Sequence, residues 1–383
     1  MATTINVMQP ELGEAELAAV REVFESRWIG RGPRTARFER MFAEHLGADP
    51  GQVTSTSTCT EATFIAVQLL GLGPGDEVVM PTVHFVGAAN AVAASGARPV
   101  FCDVDPHTLN PSAEDVAACL TPATRAVLVL HYAGHPGDIA AIADLCRRRG
   151  LPLIEDAANA VASRVDGQAC GTFGDIGVWS FDHGKIAVSV DGGMLWARDP
   201  ALAERAARLA FLGMEQRSGF DQAMRVATRW WDFDVSSFSR RAVLNDVLAA
   251  IGCVQLERLG AFVRRRREVA ARYDAALAEV KAVRLPPRPP AGHEHSHFLY
   301  AVQMDPSVRD RVARELYENG IYTTFRYPLL HEVAAYGSGV RLPRAEHAAA
   351  ATLCLPQHQG LSDADVDSVA AALTDALATA PAL

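Results

Sequence analysis

Between about residues 60 and 180, short apolar runs alternate with helical segments, and this pattern constrains the chain more than any other feature. The apolar runs lie at 77–80, 98–104, 125–131, 151–155 and 176–181. A helix over 60–70 precedes them, and helical segments at about 85–95, 112–120 and 137–149 separate them. Parallel neighbours need a crossover about as long as a helix, whereas antiparallel ones can be joined by a tight turn. The runs are apolar throughout, as strands buried on both faces are. The fold class is therefore α/β, a mostly parallel central sheet with helices on both faces.

The flanks read differently. Leu17, Val20 and Phe24 form a helical stripe within 14–25. Trp28-Ile29-Gly30-Arg31-Gly32-Pro33 breaks it, and 34–46 is helical again. Residues 200–280 read as helices with one loop, about 214–240, rich in aromatic and charged residues. Pro286-Pro287-Arg288-Pro289-Pro290 marks a boundary. Strand 297–304, helix 307–318, strand 321–326 and helices 344–353 and 361–379 follow, a smaller α+β unit.

Composition excludes several classes. With 383 residues, 49% of them apolar and 21% charged, the chain can bury a large core and is not disordered. No run approaches the roughly 18 apolar residues of a membrane span. The start, MATTINVMQPELGE, has no basic segment leading into an apolar one, so the expected location is cytoplasmic. A net charge of −9 disfavours nucleic acid as a partner. The one basic run, Arg264 to Arg267, reads as a solvated helix face. Seven cysteines, scattered and without CxxC, indicate reduced thiols with neither disulfide framework nor metal site.

Only two of the 36 basic residues are lysines, Lys185 and Lys281. Arginine stays protonated, whereas lysine can lose its proton and attack a carbonyl. Lys281 fits a chance survivor at a frayed helix end. Lys185 follows directly on a strand, in Val178-Trp179-Ser180-Phe181-Asp182-His183-Gly184-Lys185, ahead of Asp191-Gly192-Gly193.

Two other strand ends matter. Leu153-Ile154-Glu155-Asp156-Ala157-Ala158-Asn159 places Asp156 at the carboxyl edge of the sheet, where ligands of parallel sheets bind. Alone, such an acid is more often a cap. Thr54-Ser55-Thr56-Ser57-Thr58-Cys59-Thr60 offers hydroxyls and N–H groups at a helix N-terminus, either an anion cradle or a simple cap. Gly71-Leu72-Gly73-Pro74-Gly75-Asp76 precedes a strand and lacks a third glycine, so it is a turn and not a dinucleotide loop. A phosphate cradle, a carboxylate and an isolated lysine at one sheet edge are the parts that pyridoxal phosphate (PLP) requires.

At these residues the chain resembles the DegT/DnrJ/EryC1/StrS aminotransferases, sugar aminotransferases of PLP fold type I. The resemblance runs almost end to end. It is carried by Trp28 to Pro33 with Phe38-Glu39, by Gly73-Pro74-Gly75-Asp76-Glu77-Val78 and by Gly96-Ala97-Arg98-Pro99-Val100-Phe101. It continues through His131-Tyr132-Ala133-Gly134, Glu155-Asp156-Ala157-Ala158 and Ser180-Phe181 before Lys185. It closes on Ala249-Ala250-Ile251-Gly252, Gln255-Leu256 and Leu355-Pro356. The resemblance implies a large PLP-binding domain over 1–255, with the N-terminal segment, and a small C-terminal domain over 256–383.

It also implies roles. Lys185 matches the Schiff-base lysine and Asp156 the acid at the pyridine nitrogen. Asn159 stands where Gln or His is usual, near the cofactor's phenolic oxygen. Phe85 matches the aromatic that stacks on the ring. Thr58, Cys59, Thr60 and Ser180 match the phosphate binders, with Cys59 in place of the usual Gly. Arg241 stands where Asn or Lys reaches a neighbouring subunit's phosphate, which implies a homodimer with shared sites. Trp28, Arg31, His183, Arg326 and His331 fall on the substrate side. Arg326 replaces a common His, and Val190-Asp191-Gly192-Gly193 replaces Gly-Glu-Gly-Gly.

The implied reaction moves an amino group from an amino acid, glutamate by resemblance, through pyridoxamine phosphate to a nucleotide-linked 4-keto-6-deoxy sugar. Alternatives within the fold are a cyclitol or aminobenzoate-type aminotransferase and a sugar dehydratase, which replaces the lysine with His. A cofactor-binding regulator without turnover is the alternative of another class; no appended DNA-binding module supports it.

Overall fold

The computed structural model describes residues 4–215 and 231–378. Two helices, α1 (Glu14–Ser26) and α2 (Pro33–Leu46), lead into strand β1 (Val53–Thr56) and helix α3 (Cys59–Leu69). The alternating part follows as β2 (Glu77–Pro81), α4 (Val86–Ala94), β3 (Arg98–Cys102), α5 (Ala113–Ala118), β4 (Thr124–Leu130), α6 (Ile139–Arg149) and β5 (Leu153–Asp156). Two short strands, β6 (Arg164–Val165) and β7 (Gln168–Ala169), precede β8 (Ile176–Ser180) and β9 (Gly193–Ala197).

Seven strands form the main sheet in the order β3-β2-β4-β5-β8-β9-β1. Neighbours from β3 to β8 pair in parallel, and β9 runs against both β8 and β1. Six strands therefore present their carboxyl ends to one edge. The register sets Asp156 level with Leu130 and Val178, and Gly193 level with both Ser180 and Thr56. Trp179 and Phe181 are fully buried, and Phe42 meets both edge-on, at 5.1 and 5.5 Å.

Helix α7 (Pro200–Leu209) follows the sheet, and the long α8 (Asp246–Leu277) joins the two parts of the molecule. Asn245 caps α8 by accepting from Leu248 N at 3.0 Å, and Asp246 reaches back to accept from the Arg34 and Thr35 N–H groups at the start of α2, at 3.1 and 2.9 Å. The division expected at 255/256 falls inside α8. Val269, Tyr273 and Leu277 of this helix belong to a second core. That core is completed by β11 (Tyr300–Gln303), α9 (Pro306–Glu318), β12 (Thr352–Leu355) and α11 (Asp363–Ala378), whereas β10 (His293–Glu294) pairs with β6 and α10 (Pro343–Ala351) packs into the first core. β11 and β12 pair antiparallel.

Several local expectations are corrected. Residues 54–56, read only as a hydroxyl-rich lead-in, form β1, and β9 was not anticipated. The expected strand 321–326 makes only isolated bridges, Ile321 with Ile5 and Thr324 with Cys354. Ile321 belongs to the second core and Tyr327 to the first, so this segment crosses between cores instead of lying along a strand. The helix expected over 344–353 stops at Ala351, and Thr352 begins a strand. Much of the loop expected at about 214–240 lies outside the described residues. Arg264 and Arg267 are exposed, but Arg266 is fully buried. Its guanidinium donates to the carbonyls of His297, Phe298 and Gln357 and to Gln359 Oε1. Burial lowers its pKa to about 9.

Candidate active site

The carboxyl edge of the sheet collects the residues that the sequence singled out. β5 ends at Asp156, whose Oδ1 accepts from Ala158 N at 2.9 Å and so fixes the carboxylate at the strand end. β8 ends at Ser180, and the turn after it brings Lys185 back to the edge, with Lys185 N donating to Asp182 O. Lys185 is half-buried. Its amine donates to Asn159 Oδ1 at 3.1 Å and sits 4.7 Å from the Phe298 ring centre.

Asp156 faces His84. The His84 Nε2 to Asp156 Oδ2 distance is 3.8 Å, and His84 Nδ1 bonds Phe85 O at 3.2 Å. Burial holds the imidazole below its ordinary pKa, and Asp156 only partly opposes this. Cys59 lies close enough to feel the same charges. Burial pushes its thiol well up, Asp156 adds to the rise, and Lys185 opposes it. The thiol is therefore neutral near pH 7.

The β1–α3 turn is held open by glycine. A Cβ on Gly193 would lie 2.4 Å from Thr58 O and 2.5 Å from Thr56 Oγ1. Thr58 is the cap of α3, its hydroxyl accepting from Glu61 N at 2.9 Å. Ser180 Oγ accepts from Asp182 N at 3.3 Å. Thr60 and Phe85 share a neighbourhood: a Cβ on Gly87 would fall 3.2 Å from Thr60 Oγ1 and 3.1 Å from the Phe85 ring. Phe85, about half exposed, meets Tyr327 edge-on at 5.8 Å. Tyr327 OH in turn donates to Asn159 Oδ1 at 3.4 Å.

The expected substrate-side residues are more dispersed. Trp28 is exposed, its indole N–H donating to Arg31 O at 3.0 Å. Arg31 is paired to Glu39 at 2.8 Å, and Glu39 accepts from both N and Oγ of Ser55 in β1. His183 is 82% exposed and paired with Asp182, two residues from the lysine. Arg326 is half-buried, and its charge opposes the burial that pushes Tyr132 up. His331 is buried, with Nδ1 2.7 Å from Thr82 Oγ1 just beyond β2 and Nε2 3.3 Å from Glu346. Arg241 is exposed, its guanidinium 5.7 Å from the Phe211 ring centre. Its neighbour Ala242 accepts from Ser57 N at 2.7 Å, which ties this segment to the β1–α3 turn.

Four participants were missed in the sequence. His84 and Tyr327 had a weak signal, each adjoining a residue already singled out. Phe298 and Arg266 had none. Gln359 links the last two to the lysine loop, with Oε1 on Arg266 and Nε2 on Ile186 O at 3.3 Å.

The residues present fit PLP. His84 Nε2 and Asn159 Nδ2 are buried without a hydrogen-bond partner among the described residues, Asp156 lying too far from His84 Nε2, at 3.8 Å, to serve as one. Such orphans cost about 1–3 kcal/mol each and are rare. Both stand beside Asp156 or Lys185, where a polar aromatic ligand would satisfy them.

The model of the DegT/DnrJ/EryC1/StrS aminotransferase family matches residues 10–374. The chain belongs to this family. It is an aminotransferase. It is 57% identical over 366 residues to the dTDP-4-dehydro-2,3,6-trideoxy-D-glucose 4-aminotransferase of Saccharopolyspora spinosa, covering 96% of this chain and 95% of that one. The crystal structure of the aminotransferase TlmJ from Streptoalloteichus hindustanus superposes with a TM-score of 0.94 at 62% identity, over 98% and 99% of the two chains. The structure of Spr1654 from Streptococcus pneumoniae in its PLP form shares the fold at 23% identity, with a TM-score of 0.89 over 97% and 98% of the two chains.

Proposed function

We propose that this aminotransferase uses PLP to move an amino group from an amino acid, glutamate, to the 4-keto group of a dTDP-linked deoxy sugar. The observation that carries the reading is the setting of Lys185, bonded to Asn159 Oδ1 and resting on Phe298, at the edge that ends in Asp156. The 57% identical relative supports the nucleotide-linked keto sugar and the carbon aminated.

Each residue has a task. Lys185 would hold the cofactor covalently, and its freed amine would accept and return the proton at the donor carbon. When bound, PLP supplies an electron sink for the charge that develops on that carbon. Asp156 would keep the ring nitrogen protonated, because a charge-assisted hydrogen bond to a fixed carboxylate favours the cationic ring. Asn159 donates through Nδ2 to the cofactor's phenolic oxygen. Phe85 covers the ring. Thr58, Cys59, Thr60 and Ser180 receive the phosphate with the N-terminus of α3. Arg241 adds a forked cation to the phosphate of a second copy's site, so the working unit is a homodimer. The exposed Phe233 and Phe238, near Arg241 in sequence, support a covering partner there.

The test starts from enzyme loaded with pyridoxamine phosphate. Adding a dTDP-4-keto-deoxy sugar should restore the visible band of the pyridoxal form, and dTDP-glucose should not. Restoration by a keto cyclitol, with no response to any nucleotide-linked keto sugar, would replace the proposed substrate by a cyclitol.

A further inference from the structure

Asn159 is held in an unusual way. Its side chain is buried, its Oδ1 accepts from two donors, and its Nδ2 has no protein partner among the described residues. The donors are Lys185 Nζ at 3.1 Å and Tyr327 OH at 3.4 Å. The lysine fixes which way the amide faces, because the flipped amide would set an NH2 group against an ammonium. Lys185 must leave this contact whenever it works on the cofactor or the substrate. Tyr327 has no such second task. It lies in the segment that crosses between the two cores, is buried, and also packs against Phe85.

We propose that Tyr327 is a positioning residue whose hydroxyl holds Asn159 Oδ1 while Lys185 is engaged elsewhere, so that Nδ2 stays available to the cofactor's phenolic oxygen. This rests on the PLP reading above. Without the hydroxyl, the amide is free to turn once the lysine has gone. Its oxygen would then meet the phenolic oxygen, acceptor against acceptor. The short reach of Asn leaves little slack for another anchor to take over.

The consequence can be read without turnover. A donor on the phenolic oxygen favours the deprotonated form of the lysine–cofactor linkage, in which that oxygen carries negative charge unshared with the nitrogen. Loss of the donor therefore raises the pH at which the visible band of the bound cofactor titrates. A net hydrogen bond of ~0.7 kcal/mol corresponds to about 0.5 pH unit.

The experiment is a spectrophotometric pH titration of four PLP-loaded proteins: the wild type, Tyr327→Phe, Asn159→Leu and the double variant. Tyr327→Phe should titrate about 0.5 unit above the wild type, and Asn159→Leu at least as far above. The double variant should coincide with Asn159→Leu, because the tyrosine acts only through the amide. Should Asn159→Leu fail to fold, Asn159→Ala takes its place in the cycle. A Tyr327→Phe titration identical to wild type would overturn the proposal, as would a tyrosine effect that persists in full without Asn159. A wild-type protein that gives no visible band with PLP would instead overturn the cofactor reading, and the proposal with it.

Discussion

Asp156 and Lys185 sit within one site but depend on different physics. The carboxylate is held by a backbone N–H and is buried, so its charge acts at short range in a medium of low polarity. Asp156→Asn keeps the shape and the Ala158 contact and removes the charge. PLP should still bind, while turnover falls roughly a hundredfold or more, about 2.7 kcal/mol at 1.36 per decade. Steady-state rates beside the cofactor spectrum check this, and near wild-type turnover would assign the ring nitrogen to another group. Both residues were legible because Asp156 ends one apolar strand and Lys185 follows five residues after another, and strand ends of a parallel sheet converge on one edge. Phe298 was not, since its contact with Lys185 spans more than a hundred residues of sequence and leaves no local pattern. Arg266 was misjudged for a related reason: a run of four arginines looks solvated, and only the packing of the second core shows which one turns inward.

Among the elements, β9 decides the shape of the β1–α3 turn, the proposed phosphate cradle. It runs against its neighbours, so its first residue, and not its last, lies at the working edge beside Thr56 and Ser180. Gly193 has to be small because Thr58 O and Thr56 Oγ1 occupy the space of a Cβ. Gly193→Ala should push the β1–α3 turn outward, weaken PLP retention and cost about 1–3 kcal/mol of stability. Gly260→Ala, on the exposed face of α8 with its nearest neighbour at 3.7 Å, should leave stability unchanged or raise it. Thermal melts and cofactor titration of the two variants provide the comparison; equal behaviour would contradict the role given to Gly193. The parallel strands were readable from their apolar runs and helical crossovers. β9 and β12 carry no comparable signal: β9 has no helical crossover before it, and the expected helix over 344–353 runs two residues into β12.

For the whole molecule, buried histidines shape the response to mild acid, above the range in which the lowered carboxylates titrate. Burial lowers His135, His297 and His358 to about 4 and His295 further still. An unfolded histidine titrates near ~6.5, so the unfolded chain takes up these protons first. The stability contributed by the neutral side chains is present above about pH 6.5 and is lost as pH falls through the folded values near 4. His131 has the opposite sign. Burial lowers it, but Cys170 and Glu155 prevail and hold it well above its ordinary value, so its contribution is present at low pH and lost at high. The lowered group is the larger, so Tm should drop between pH 7 and pH 5. A flat profile would mean that these side chains reach water. A second prediction concerns assembly. If Arg241 serves the partner's phosphate, mixing Arg241→Ala with Lys185→Ala chains yields heterodimers in which one site has both groups intact and the other neither. Verified heterodimers should recover up to about half the activity per dimer at limiting PLP, where Arg241→Ala alone is severely impaired. No recovery would confine Arg241 to its own chain.

The central claim is that Lys185 carries the cofactor, and the chain's composition makes its test unambiguous, because Lys281 is the only other lysine. Borohydride reduction of the PLP-loaded protein, followed by peptide mass mapping, locates the attachment directly. A single phosphopyridoxyl group is expected on Lys185, absent in Lys185→Arg and unchanged in Lys281→Arg. A label on Lys281, or a wild-type protein that turns over yet carries no label at Lys185, would contradict it.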